Sequence, residues 1–239
     1  KGINIFVEKP GGVSASDALR LIKINKNNKS IISVGYNHRL HQPFLLAKKL
    51  IEKKKIGKLL YLRGVYGHGG RKNYNKEWRF KKNISGGGEL IDKGSHLIDL
   101  SRLFLDNLKV KNHTLENYFW KSKVEDNCFF TLINNKKQLA FMHASSTEWK
   151  NKFCFEIFCE KGKIEIQGLG RSYGKEKLVL YVMKKKMGIP KVKNFYFKDD
   201  KSLTHEIDLF KKGINNKKEY LPNLYDIYEN LKIINKIYD

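Results

Sequence analysis

The sequence predicts an α/β beginning joined to an α+β body: one βαβ unit of a parallel sheet, then a predominantly antiparallel open sheet with helices on one face. Three observations carry this expectation. Two short apolar runs, Ile3 to Val7 and Ile31 to Tyr36, flank an amphipathic stretch, which is the order and spacing of a βαβ unit. Between Leu60 and Phe197 the chain turns to a succession of β-type runs with a single long helical pattern among them, so neighbouring strands should pair antiparallel. Two further amphipathic stretches, Leu203 to Gly213 and Leu224 to Tyr238, close the chain as helices.

Each element has its own signal. Ile3 to Val7 stops abruptly at Glu8-Lys9-Pro10-Gly11-Gly12, a buried strand entering a glycine-rich loop. Ser14 offers a helix cap, with Asp17 three residues on, and Ala18, Leu19, Ile22 and Ile24 continue an amphipathic helix into the polar stretch from Asn25 to Lys29. Pro43 suits the first turn of a helix carrying Phe44, Leu45, Ala47, Leu50 and Ile51, with Gly57 just beyond its end. Strands follow at Leu60 to His68, Val110 to Trp120, Cys128 to Ile133, Leu139 to Ser145, Phe153 to Cys159, Lys163 to Gln167, Leu178 to Met183 and Val192 to Phe197. The central helix is expected over Gly86 to Leu105.

Composition excludes several classes. The net charge of +24 would ordinarily suggest nucleic acid or an anionic membrane, but it is mostly Lys, spread from Lys1 to Lys236 among many Asn and Ile, and reads as compositional bias over an ordinary surface. No nucleic-acid or membrane partner is expected. Cys128, Cys154 and Cys159 lack CxxC spacing and are odd in number, so reduced thiols in a cytoplasmic protein are expected. No apolar run approaches the ~18 to 20 residues of a membrane span.

The candidate chemistry centres on the helix. At 3.6 residues per turn Asp92, His96 and Asp99 form one polar stripe between apolar flanks, so the imidazole is either a satisfied buried group or a base facing a ligand. Gly94, expensive within a helix, suggests close approach by a neighbour. Lys9 follows a strand directly, at the ligand-binding end of a parallel sheet, where it can hold a hydroxyl or carbonyl or simply belong to a polar loop. Gly86 and Gly88 fail the dinucleotide fingerprint at Ile91, although their N–H groups could meet an anion. His38, His41, His68 and His143 show no metal-ligand spacing, and no metal is expected.

Taken together, Glu8-Lys9-Pro10 after one strand, Gly35-Tyr36-Asn37-His38-Arg39 after the next, and Gly87-Gly88-x-Leu90-x-Asp92-x-Gly94-x-His96-x-x-Asp99 resemble the Gfo/Idh/MocA family of oxidoreductases, from Lys1 to Asp239. The resemblance implies that residues 1–37 are the tail end of a Rossmann NAD(P)-binding domain and residues 38–239 the substrate and oligomerisation domain. The glycine-rich pyrophosphate turn and most of that first sheet, roughly 80 to 120 residues at the ~30 residues of each βαβ unit, are missing from the chain. By the same resemblance Glu8, Lys9, Pro10 and Asn37 would bind NAD or NADP. Lys9, Asp92 and His96 would be catalytic, with His96 as acid/base. His38, Trp149 and Lys150 would contact the substrate, and Asp99 would be structural. The Gly67-His68-Gly69-Gly70-Arg71 loop is similar to relatives associated with surface-sugar genes, which implies a sugar, polyol or nucleotide-sugar substrate. A homo-oligomer, dimer or tetramer, would form through the open sheet. The competing reading is a non-catalytic binding or assembly protein on the same sheet domain; nucleic-acid binding ranks behind both.

Overall fold

The computed structural model describes residues 2–239. The first strand, β1 (Ile5–Val7), pairs parallel with β2 (Ile32–Val34), and α1 (Ala15–Asn28) connects them. Ser14 caps α1, but its hydroxyl accepts from Ser16 N–H, and Asp17 turns instead to Arg20. A 3-10 turn over Asn37–Leu40 leads to α2 (Gln42–Glu52), which has Pro43 in its first turn as expected of a residue without an N–H.

The body is one eight-stranded sheet. In chain order its strands are β3 (Leu59–Gly67), β4 (Lys109–Glu116), β5 (Asn127–Ile133), β6 (Leu139–Ser145), β7 (Lys152–Cys159), β8 (Gly162–Gln167), β9 (Lys177–Val182) and β10 (Lys191–Tyr196). Across the sheet the order is β10-β9-β8-β7-β3-β6-β5-β4. Strand β3, the first of these in the chain, thus lies mid-sheet, antiparallel to β7 and parallel to β6, the one parallel pair in an otherwise antiparallel sheet.

Period-2 alternation decides the faces. Leu62, Ala140, Leu132 and Ile157 share one face and are fully buried. Their neighbours Arg63, Phe141, Thr131 and Glu156 point the other way, where Phe129 and Phe141 remain exposed. The helices take the buried face. The one-turn helix α3 (Lys82–Ser85) precedes Gly86, a π-helical turn spans Leu90–Gly94, and α4 (Ser95–Leu105) follows. At Gly64 an added Cβ would lie 2.8 Å from Met142 Sδ and 3.3 Å from Leu97, so glycine lets α4 lie directly on the sheet.

Helices α5 (Ser202–Asn216) and α6 (Leu224–Tyr238) complete the layer. Asn223 and Asp226 form a reciprocal capping box at the start of α6. At Gly11 a Cβ would meet Ile227 of α6 at 2.5 Å, which fits the βαβ unit against the body. All three cysteines are free, as expected; burial pushes the Cys154 thiol up to about 11 and Cys159 up to about 12. Among the described residues no helix is long and apolar enough to cross a membrane.

Candidate active site

The expected unbroken helix over Gly86 to Leu105 is corrected in its first half, and the correction shapes the site. Gly86, Gly87 and Gly88 are not helical, and the widened turn at Leu90–Gly94 takes Asp92 out of line with Asp99. The three polar groups therefore part company. Asp99 is 1% exposed and bound to Arg39 through both carboxylate oxygens, at 2.6 and 2.5 Å, with Asn230 donating at 3.0 Å. Asp92 retains a side chain 33% exposed and faces a cavity. Gly94, read as a sign of close approach, is approached by Leu90 of its own turn, 3.0 Å from where a Cβ would sit.

The glycine run binds an anion, but an internal one. Gly88 N–H donates to both oxygens of Glu125, at 3.1 and 3.2 Å, and Leu90 N–H donates to the same carboxylate at 2.9 Å. Tyr238 O–H seals it at 2.7 Å.

A cavity of ≈ 270 Å³ lies between the βαβ unit and the buried face of the sheet, lined by Lys9, Asp92 and His96 together. Lys9, at the carboxyl end of β1, donates to the Asp92 carbonyl at 2.5 Å and to Asp92 Oδ1 at 2.8 Å. Burial alone would raise the Asp92 carboxyl, but Lys9 and Lys93 beside it hold it well below the usual carboxylate range. The His96 ring is 6% exposed; burial, then the Lys9 charge, holds it well below the usual imidazole range, so it is neutral near pH 7. Its Nδ1 is buried without a partner among the described residues. A larger hollow of ≈ 370 Å³ lies on the open face of the sheet, lined by Arg63, Phe129, Phe141 and His143. It holds none of the three groups, and the chemistry favours the smaller cavity.

The other expected site residues fall in different places. Glu8 lies against Gly35, where a Cβ would be 3.0 Å from its Oε2, and Pro10 follows Lys9 through a cis peptide. Asn37 donates to Ser202 Oγ at 3.0 Å, which ties the end of β2 to α5. His38, expected at the substrate, does not line the cavity. It is 7% exposed and stacked on His96, with ring centroids 3.7 Å apart and planes 18° apart. Trp149 and Lys150 do not line the cavity either: Trp149 packs edge-on to Phe119. The backbone of Trp149 does press on Gly69, 2.8 Å from a Cβ there, and so supports the loop from Gly67 to Arg71.

That loop and two others supply groups the sequence did not single out for the site. His68 accepts from Gly70 N–H at 2.7 Å, its other nitrogen is 3.1 Å from Tyr74 O–H, and Tyr74 donates to Glu89 at 3.3 Å. Burial, then the charge of Lys93, lowers His68 to about 3. Lys93 is buried and donates to Glu89 at 2.6 Å and to Asp92 at 3.4 Å. Tyr66, Arg71, Arg79 and Tyr173 complete the lining. Beyond His38, ligand atoms of His41, Glu176 and Asp200 lie within 4.8 Å of one another, a grouping of possible metal ligands that their separation in sequence hides. Hydrogen bonds engage them here: His41 Nδ1 is 2.5 Å from Glu176 Oε1, and Asp200 accepts from Ser202 N–H at 2.9 Å.

Comparison with known proteins agrees with this architecture. The family model for the GFO/IDH/MocA C-terminal domain matches residues 44–165, just over half of the chain. Levoglucosan dehydrogenase of Pseudarthrobacter phenanthrenivorans is 31% identical over 119 residues, which are 49% of this chain and 30% of that protein. A putative NADPH-dependent oxidoreductase from Desulfitobacterium hafniense has the same fold, with a TM-score of 0.88 at 18% identity over 98% of this chain and 69% of that one. So has levoglucosan dehydrogenase in complex with NADH and L-sorbose, with a TM-score of 0.85 at 21% identity over 99% and 70%.

Proposed function

The chain belongs to the GFO/IDH/MocA family, and we propose that it carries the substrate side of a nicotinamide-dependent dehydrogenase acting on a hydroxyl-bearing carbon of a sugar, polyol or nucleotide-sugar. The observation that carries this reading is the convergence of Lys9, Asp92 and His96 on one cavity. Kinship with levoglucosan dehydrogenase, solved with NADH and a sugar, supports both the cofactor and the substrate class. On this reading residues 1–37 are the tail end of a Rossmann domain and residues 38–239 the substrate and oligomerisation domain.

The residues present suit one end of the cofactor. Glu8, Lys9 and Pro10 follow β1, and Tyr36 to His38 follow β2, at the ligand end of a parallel pair, where a nicotinamide ring would lie. The glycine run offers no cradle for a pyrophosphate, since Glu125 already occupies its N–H groups. When bound, the nicotinamide supplies the hydride acceptor. Lys9 holds the reacting hydroxyl oxygen and stabilises negative charge as its proton departs. Neutral His96 accepts that proton, while Asp92 fixes the Lys9 ammonium at 2.8 Å and offers an acceptor to a neighbouring sugar hydroxyl.

The test is turnover by the whole protein against a panel of sugars and polyols with NAD and NADP. His96→Gln should lower kcat by roughly 10²- to 10⁴-fold, the range of a lost general base, with the thermal midpoint little changed. Undiminished turnover by the variant would overturn the assignment.

A further inference from the structure

The cavity holds more cationic groups than it has carboxylates to match. Lys9, Arg71, Arg79 and Lys93 line it, against Asp92 alone among its acids. Three of the cations have a close acceptor. Lys9 is on Asp92 at 2.8 Å, Lys93 on Glu89 at 2.6 Å, and Arg71 grips both oxygens of Glu77 at 2.7 Å. Arg79 is the most weakly held of the four, because the one carboxylate oxygen it donates to, Glu77 Oε2, is the oxygen that Arg71 also holds. Its nearest carboxylate oxygens are Glu77 Oε2 at 3.4 Å and Asp92 Oδ2 at 3.8 Å, and both acids are already engaged by other cations. Its guanidinium lies over the Trp78 ring, 4.8 Å from the centroid, with the side chain 38% exposed. A planar guanidinium that lines a cavity, lies over an aromatic face and makes only one long, shared hydrogen bond has donors left to match an oxyanion in two-pronged geometry.

From this, and resting on the dehydrogenase reading for the identity of the site, we infer that the substrate is an anionic sugar whose carboxylate or phosphate is received by Arg79, with Arg71 beside it. Burial is what chiefly keeps a proton off His68, and Lys93, Arg71 and Arg79 add to it against the opposing charge of Asp92. An uncharged sugar would leave Arg79 with only the long, shared bond to Glu77, whereas a uronate, a sugar phosphate or a nucleotide-sugar would give it an acceptor of its own.

Calorimetric titration of the whole protein with matched hexoses, their uronates, their 1-phosphates and their uridine diphosphate conjugates distinguishes carboxylate from phosphate. At least one charged set should bind roughly tenfold to a hundredfold tighter than the neutral sugars, the range of a charge-assisted hydrogen bond. Arg79→Gln should remove most of that difference, and Arg79→Lys should restore part of it. Neutral sugars binding as tightly as every charged relative would overturn the inference. So would preference for charge that survives Arg79→Gln, or an Arg79→Gln variant that loses NADH affinity alone. Charge-dependent sugar binding without hydride transfer would refute the dehydrogenase reading and leave the oxyanion site standing.

Discussion

His38 and His96 lie face to face with their ring centroids 3.7 Å apart, too deep for either to hold a proton easily. Burial is the main cause for both; His96 and His41 add to it at His38, and Lys9 adds to it at His96. The linkage has a definite sign. An unfolded histidine takes up a proton near pH ~6.5, and the folded one does so only far below, so the stability from each is complete above ~6.5 and declines as pH falls. Each group costs about 1.4 kcal/mol per pH unit in that falling range. Glu206, pushed up to about 8 by burial and by Glu8, acts in the opposite sense: its contribution is complete below the usual carboxylate range and is lost as pH rises through about 8, so it overlaps the histidine range. His38→Phe keeps a stacking ring without a titratable nitrogen and leaves Glu206 unchanged. Its urea-unfolding stability between pH 6 and 5 should fall less steeply than that of the parent, by about 1.4 kcal/mol per unit; identical slopes would refute the account. Lys9, Asp92 and His96 were legible in the sequence because three motifs in order pointed to one place. Arg79, Tyr74 and Tyr173 were not, since they stand on short 3-10 turns that only the folded sheet brings to the cavity, and periodicity carries no trace of such meetings.

The glycine run before the π-helical turn shows how an element is fixed by close packing. A Cβ at Gly88 would lie 2.1 Å from the Glu125 carbonyl oxygen and 2.9 Å from its carboxyl carbon, so backbone as well as side chain would have to move. Gly88→Ala should therefore destabilise the fold by about 2 to 3 kcal/mol, as overpacking does, and loosen the Glu125 cradle formed with Gly88 and Leu90. Urea unfolding of the variant checks the cost, and a loss below ~0.5 kcal/mol would show that the loop can adjust. The strands and helices were visible in outline because β-type runs and 3.6-residue patterns are local properties. The placement of β3 between β7 and β6 was not, because strand order depends on pairing across the sheet. Nor was the widened turn, since Leu90, Ile91 and Leu97 satisfy an ordinary helical period equally well.

At the scale of the whole molecule, no helix among the described residues covers one face of the eight-stranded sheet. Tyr61, Phe129 and Phe141 are 37%, 39% and 44% exposed there, beside a charged row in which Glu156 holds Arg63 at 2.5 Å and Lys163 at 2.6 Å. Aromatic surface on a regular sheet, rimmed by paired charges, is the composition of a protein–protein interface more than of a solvated face. We propose a second copy of the same chain as the partner, the assembly that the family resemblance implies. A stable dimer needs roughly 800 Å² from each subunit, which an eight-strand face can provide. A carboxylate at Phe141 would be buried unpaired in such an interface, a penalty of several kcal/mol and hence at least a hundredfold in dissociation constant. In the monomer the same substitution touches only solvent-facing surface and should change stability by less than about 0.5 kcal/mol. Light scattering behind size exclusion should therefore find the parent as a dimer or tetramer and Phe141→Glu as a smaller species at the same micromolar concentration, with its thermal unfolding still cooperative. If the two proteins have the same mass, this face is not the site of assembly, and its aromatic residues must be explained within the monomer.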